Sequence, residues 1–158
     1  MAYTPTTQDL TSMQPRLDFY KASPAAAKAT IALESAVGQL GLDPGLLDLI
    51  KLRASQINGC AYCVDMHSAD ARKKGETERR LYSLSVWRES PFYTDRERAA
   101  LAWTESLTLI SHTGAPDSDY EWVSSQFDEE ERVKLTVAIN AINSWNRLAI
   151  GFRSVPAK

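Results

Sequence analysis

Residues 48–67, DLIKLRASQINGCAYCVDMH, hold both cysteines of the chain and one of its two histidines. Cys60, Cys63 and His67 stand at i, i+3 and i+7. On a helix that starts near Ala61 these side chains share one face, and the Cβ atoms of Cys63 and His67, one turn apart, are about 5–6 Å from each other. Asn58-Gly59 is a turn dipeptide, which makes the segment a helix-turn-helix with Cys60 at the start of the second helix. Thiol chemistry proceeds through the thiolate, a few per cent of a free thiol at neutral pH, so a working CxxC pair needs a neighbour that favours the anion. A histidine one turn on and a helix N-terminus both supply this.

Outward from this stretch the chain reads as helices throughout. Upstream, residues 44–57 form an apolar segment that opens with Asp43-Pro44 and buries Leu46, Leu47, Leu49, Ile50, Leu52 and Ile57. Before it, Ser23-Pro24 gives the same start signal to AAAKATIALESAVGQL, a strong helix former that ends near Gly41. Residues 1–15 are polar, interrupted by Pro5 and Pro15, and read as an N-terminal arm; residues 16–158 read as a single helical domain.

Downstream, the CxxC helix ends at Gly75, and residues 77–87 form a shorter helical piece. Three capping boxes are expected, each with an acceptor side chain three residues before a Glu: Thr94 with Glu97, Ser118 with Glu121, and Asp128 with Glu131. The last opens a long helix whose polar face carries Asn140, Asn143, Ser144 and Asn146. Buried amides need partners, and a helix contact between subunits is one source of them. His112 falls at a helix C-terminus. The four tryptophans sit on apolar faces and read as core or subunit-contact residues. No stretch alternates long enough for a sheet, so the fold class is all-α.

Composition narrows the function. The chain has 158 residues, 44% apolar and 24% charged, with a net charge of −2. It can bury a core of its own, has no apolar run long enough to span a bilayer, and lacks the basic footprint of a nucleic-acid binder. The first residues carry neither the basic start nor the apolar stretch of a secretory signal, so the cytoplasm is the expected compartment. Thiols there are kept reduced, and a CxxC pair points to catalysis or metal binding before a structural staple.

The chemistry that fits best is a dithiol/disulfide cycle. One thiolate attacks a peroxide and becomes a sulfenic acid; the second thiol resolves it to a disulfide, which a dithiol donor reduces. The cycle calls for no bound cofactor. Cys60 has the helix N-terminus, a stabilisation of about 0.3–1 kcal/mol at exposed positions. Cys63 has an imidazole able to take its proton, typically worth about 10²–10⁴ in rate. That comparison favours Cys63 as nucleophile and Cys60 as resolving thiol. Asp48, on the preceding helix, is placed to orient His67 or relay its proton; the bland alternative is a solvated helix carboxylate. Zinc binding by Cys60, Cys63 and His67 lacks a fourth ligand, so no metal is expected. A pair of inert core thiols is the remaining reading.

Asp48 followed by Cys60-x-x-Cys63-x-x-x-His67 within LRASQINGCAYCVDMH resembles the signature of the AhpD-like alkylhydroperoxidases of the carboxymuconolactone decarboxylase family. YTDRERAALAWTESLT and AINSWNRLAIGFR resemble the later helices of that family. The resemblance implies an all-helical fold, a trimer or hexamer of identical subunits, and a peroxidase in which Cys63 attacks, Cys60 resolves, and His67 with Asp48 relays the proton. It also implies a dithiol reductant of the lipoyl type carried by a partner protein. The acidic position is usually Glu, so Asp48 reaches one methylene less far; the best-known enzyme has a histidine where this chain has Tyr62. The decarboxylase branch lacks the CxxC pair, and decarboxylation is not implied. A redox-responsive sensor or scaffold without efficient turnover is the alternative.

Overall fold

The helix over Pro44–Asn58 is buried on almost every side, with Leu46, Leu47, Asp48, Leu49, Ile50, Leu52, Ala54 and Ser55 all out of solvent. A helix apolar over so wide an arc must be enclosed by others, and the rest of the chain wraps it. The structure, a computed structural model, describes residues 13–156. Among the described residues every regular element is helical: α1 (Phe19–Ala22), α2 (Pro24–Gly38), α3 (Pro44–Asn58), α4 (Ala61–Lys73), α5 (Glu78–Ser83) and α6 (Asp95–Thr108) come first. Then follow α7 (Ile110–Thr113), α8 (Asp117–Gln126) and α9 (Glu129–Gly151), with a 3₁₀ turn over Leu84–Val86 after α5. The all-α fold is therefore observed. Of the expected N-terminal arm, residues 1–12 lie outside the described residues.

α3 packs against α4, α6 and α9, α2 lies along α9, and α6 rests on α8. Leu46 and Ile50 of α3 meet Ala99, Ala100, Trp103 and Ile139. On another side Leu49 and Leu52 meet Ala71, Leu84, Trp87 and Leu101. Leu47 joins Val37, Ala138 and Ala141. Small residues on α6 and α9 let these helices approach α3 closely, while Trp87 and Trp103 fill the wider gaps.

Helix starts follow local chemistry. Asp43 accepts the Leu46 N–H at 2.8 Å, and the boxes at Thr94/Glu97 and Asp128/Glu131 both form. Such caps are each worth about 1 kcal/mol. Three expectations change. Ser118 and Glu121 form no box, because α8 starts two residues earlier than that box requires, at Asp117 after the extended Pro116. Ser23 occupies the N-cap position of α2 without a side-chain cap bond, and its own N–H closes α1 on the Phe19 carbonyl. The piece expected over residues 77–87 divides into α5 and the 3₁₀ turn. Ile57 is half-buried and not in the core, lying one residue from the end of α3.

Candidate functional site

The CxxC turn is built by a left-handed residue and a web of amides. Gly59, at φ +70°, closes α3; a side chain would be strained there. Cys60 is then the N-cap of α4, with its N–H on the Ser55 carbonyl at 3.0 Å and its Sγ accepting the Cys63 N–H at 3.3 Å. Beneath the turn Asn58 donates to Asn143 Oδ1 at 2.9 Å and Asn146 Oδ1 at 2.8 Å. Asn146 donates to Ser55 Oγ at 3.0 Å, and Asn143 to Thr108 Oγ1 at 3.1 Å. The buried amides of the last helix are thus satisfied inside the chain, by Asn58, Ser55 and Thr108, without a subunit contact. This ties the end of α3 to α9 under the cysteines.

Cys60 and Cys63 are joined as a disulfide, with Cα atoms 5.3 Å apart. Both are almost wholly buried, against Ala149 of α9. Cys63 nevertheless borders a cavity of about 330 Å³ that His67 also lines. Phe19 and Tyr20 of α1, Tyr62 and Met66 of α4, and Trp145 of α9 form its apolar wall; Glu34, Asp48, Lys51, Asp70 and Lys74 bring charge to it. Cys60 borders a different recess of about 220 Å³, with Met13, Ile150, Arg153 and Val155. The two ends of the disulfide thus face different openings.

Four of the five charged groups in the main cavity form two pairs, and the fifth, Asp70, pairs with Lys73 at 3.3 Å. Lys51 binds Glu34 across α3 and α2. Lys74 binds both oxygens of Asp48, at 2.7 and 2.9 Å. Burial pushes the His67 imidazole from its ordinary 6.5 down to about 4; the Lys51 charge acts the same way, and Glu34, Asp70 and Asp48 oppose it. His67 is therefore neutral at physiological pH and able to accept a proton.

Of the four residues singled out in the sequence, Cys63, His67 and Asp48 line one cavity, and Cys60, bonded to Cys63, borders the neighbouring recess. Asp48 is buried, not solvated, but its carboxylate is engaged by Lys74, and among the described residues it makes no hydrogen bond to His67. Sequence reasoning missed Lys51, Lys74, Glu34 and Trp145. Two of these had a local signal: Lys51 is one turn after Asp48, and Lys74 continues the face of His67 at i+7. Glu34 and Trp145 arrive through tertiary packing alone. His112 is exposed in the last turn of α7 and takes no part.

The profile of the carboxymuconolactone decarboxylase family matches residues 24–106. The protein YdfG of Bacillus subtilis is 45% identical over 138 residues, 87% of this chain and 94% of its own. A crystal structure of a protein of unknown function from Agrobacterium tumefaciens, provisionally described as the antioxidant defence protein AhpD, superposes with a TM-score of 0.90. It has 52% identity and covers 92% of this chain and 99% of that one. The debrominase Bmp8 shares the fold at a TM-score of 0.74 and 20% identity, covering 87% of this chain and 74% of its own. Those likenesses and the helix-borne CxxC turn lead to one assignment: this chain is an AhpD-like member of the carboxymuconolactone decarboxylase family.

Proposed function

We propose that this protein is a thiol-dependent peroxidase of the alkylhydroperoxidase type, with Cys63 as nucleophile, Cys60 as resolving thiol and His67 as proton acceptor. The observation that carries the reading is that Cys63 and His67 open into one apolar-walled cavity while Cys60 lies within bonding reach behind them.

In the reduced protein the Cys63 thiol gives its proton to neutral His67, whose basicity rises as the thiolate forms beside it. The thiolate attacks one oxygen of a peroxide ROOH, the O–O bond breaks, and the expelled oxygen takes the proton from His67. Cys63–SH and ROOH thus become Cys63–SOH and ROH. The Cys60 thiol, its sulfur favoured as an anion at the N-terminus of α4, displaces water and forms the disulfide. A dithiol donor of the lipoyl type then returns both cysteines to thiols and is itself oxidised to a disulfide. Asp48 contributes negative charge near His67 through its Lys74-paired carboxylate, in place of direct contact. Assembly into a trimer or hexamer belongs to the same proposal and is supported by the apolar side chains left exposed at Ile110, Val133 and Ile150.

The test is steady-state consumption of an organic hydroperoxide with excess dihydrolipoamide. Continuous turnover, abolished by Cys63→Ser, is expected. One stoichiometric oxidation with no further cycling would instead assign the protein to the sensor class.

A further inference from the structure

Two lysines border the cavity, and they differ in exposure. The Lys74 side chain is 55% exposed and spans both oxygens of Asp48, whereas the Lys51 side chain is 16% exposed. Burying an ammonium to that degree is costly unless it is paired, and Glu34 of α2 supplies the pairing. An ammonium has three donor directions, and among the described residues Glu34 is the only side chain that takes one from Lys51. The remaining directions are open to a molecule in the cavity that Lys51 shares with Cys63 and His67. Lys51 and His67 line the same cavity wall as Cys63, and the Lys51 charge acts against protonation of the imidazole.

Resting on the peroxidase reading, we infer that Lys51 is a further catalytic residue, whose ammonium, held at the cavity wall by Glu34, receives the oxygen expelled when Cys63 breaks the O–O bond. The electron pair of that bond leaves with the departing oxygen as RO⁻ while the sulfur gains the other oxygen. Negative charge therefore develops on an atom inside the cavity, where a fixed cation already in place is worth more than one in bulk water. His67 supplies the proton that converts RO⁻ to ROH; Lys51 supplies charge and a hydrogen bond while that transfer takes place. Glu34 is a positioning residue, since it acts through Lys51. The role differs from thiolate activation, because it is exercised on the leaving group and not on the sulfur.

The experiment compares wild type, Lys51→Met, Lys51→Gln and Lys51→Arg as reduced proteins in single turnover. Disulfide formation with cumene hydroperoxide is followed by stopped flow at the alkaline plateau, where the thiolate is fully formed in each. Iodoacetamide alkylation of Cys63 is measured on the same plateau in a Cys60→Ser background. Lys51→Met and Lys51→Gln should slow peroxide cleavage by about 10²-fold, the loss typical of one removed oxyanion donor, with alkylation close to wild type and much of the peroxide rate restored in Lys51→Arg. The glutamine variant keeps a polar side chain, should methionine disturb packing. The assignment is overturned if either neutral variant cleaves peroxide at the wild-type rate, or if peroxide and alkylation rates fall in parallel. Failure of the wild type itself to form a disulfide with peroxide would remove the underlying peroxidase reading, an outcome distinct from a defect confined to Lys51.

Discussion

Asp48 and Lys74, 26 residues apart, form a two-pronged ion pair at 2.7 and 2.9 Å on the wall of the cavity that holds Cys63. The carboxylate is buried and the ammonium is mostly in solvent. Asp48 therefore acts on His67 through space, raising its affinity for a proton. Asp48→Asn should lower the His67 pKa below its value in the native disulfide form, as read by NMR titration of the imidazole. It should also slow the peroxide step by roughly tenfold, at the low end for a residue that assists proton transfer. An unmoved imidazole titration would remove Asp48 from the electrostatics of the site.

On the proposed peroxidase cycle, loss of Cys60 separates the two chemical steps. Cys60→Ser should still consume one equivalent of peroxide and then stop at the Cys63 sulfenic acid, which dimedone traps and mass spectrometry detects. Trapping on residue 60 in the reciprocal Cys63→Ser variant would reverse the roles of the two sulfurs.

The burial of His67 has a cost in acid. Its folded pKa, about 4, lies below the unfolded value near 6.5. Between these values the unfolded chain takes up a proton that the folded chain refuses, so stability falls as the pH drops through that window. The loss is complete below about pH 4 and amounts to roughly 3 kcal/mol. His67→Asn lacks this penalty, so the wild-type urea midpoint should lose ground to that of the variant between about pH 7 and about pH 4.5. Parallel midpoints over that range would mean that the imidazole is protonated in the folded state.

The amides under the turn are a stability element. Asn146 is fully buried and meets Asn58 and Ser55. Asn58→Ala removes the donor shared by Asn143 and Asn146 and leaves two buried carbonyl oxygens unpaired, at a cost of about 1–3 kcal/mol for each. Thermal unfolding should shift down accordingly. The rate of disulfide formation should fall as well, because the same amides hold the end of α3 beneath Cys60.

The reach of the sequence is set by how local each feature is. Cys60, Cys63 and His67 lie within two turns of one helix, so their spacing alone placed them on a common face. The caps at Asp43, Thr94 and Asp128 are bonds across three residues and were legible for the same reason. Ser118 misled because Pro116, two residues earlier, is extended and lets α8 begin at Asp117. The α3 partners of Asn143 and Asn146 are 85 to 91 residues away, and Lys74 reaches Asp48 only once α4 has folded back over α3. Glu34 comes from a helix with no local relation to the CxxC segment. Pairings of this kind are made by packing and leave no periodic trace.

The match to the family covers residues 24–106, which include every sulfur, imidazole and charged group of the cavity. Most of its aromatic lining lies outside that segment: Phe19 and Tyr20 precede it and Trp145 follows it, while Tyr62 falls within it. Near the ends of the described segment, Arg16 is tied to Gly151 and Phe152 by hydrogen bonds of 3.1 and 2.9 Å. The CxxC turn thus falls within the family match, and most of the aromatic wall beside it comes from the two ends of the chain. Substitutions at Phe19, Tyr20 or Trp145 would therefore reshape the cavity while leaving its cysteines and imidazole in place.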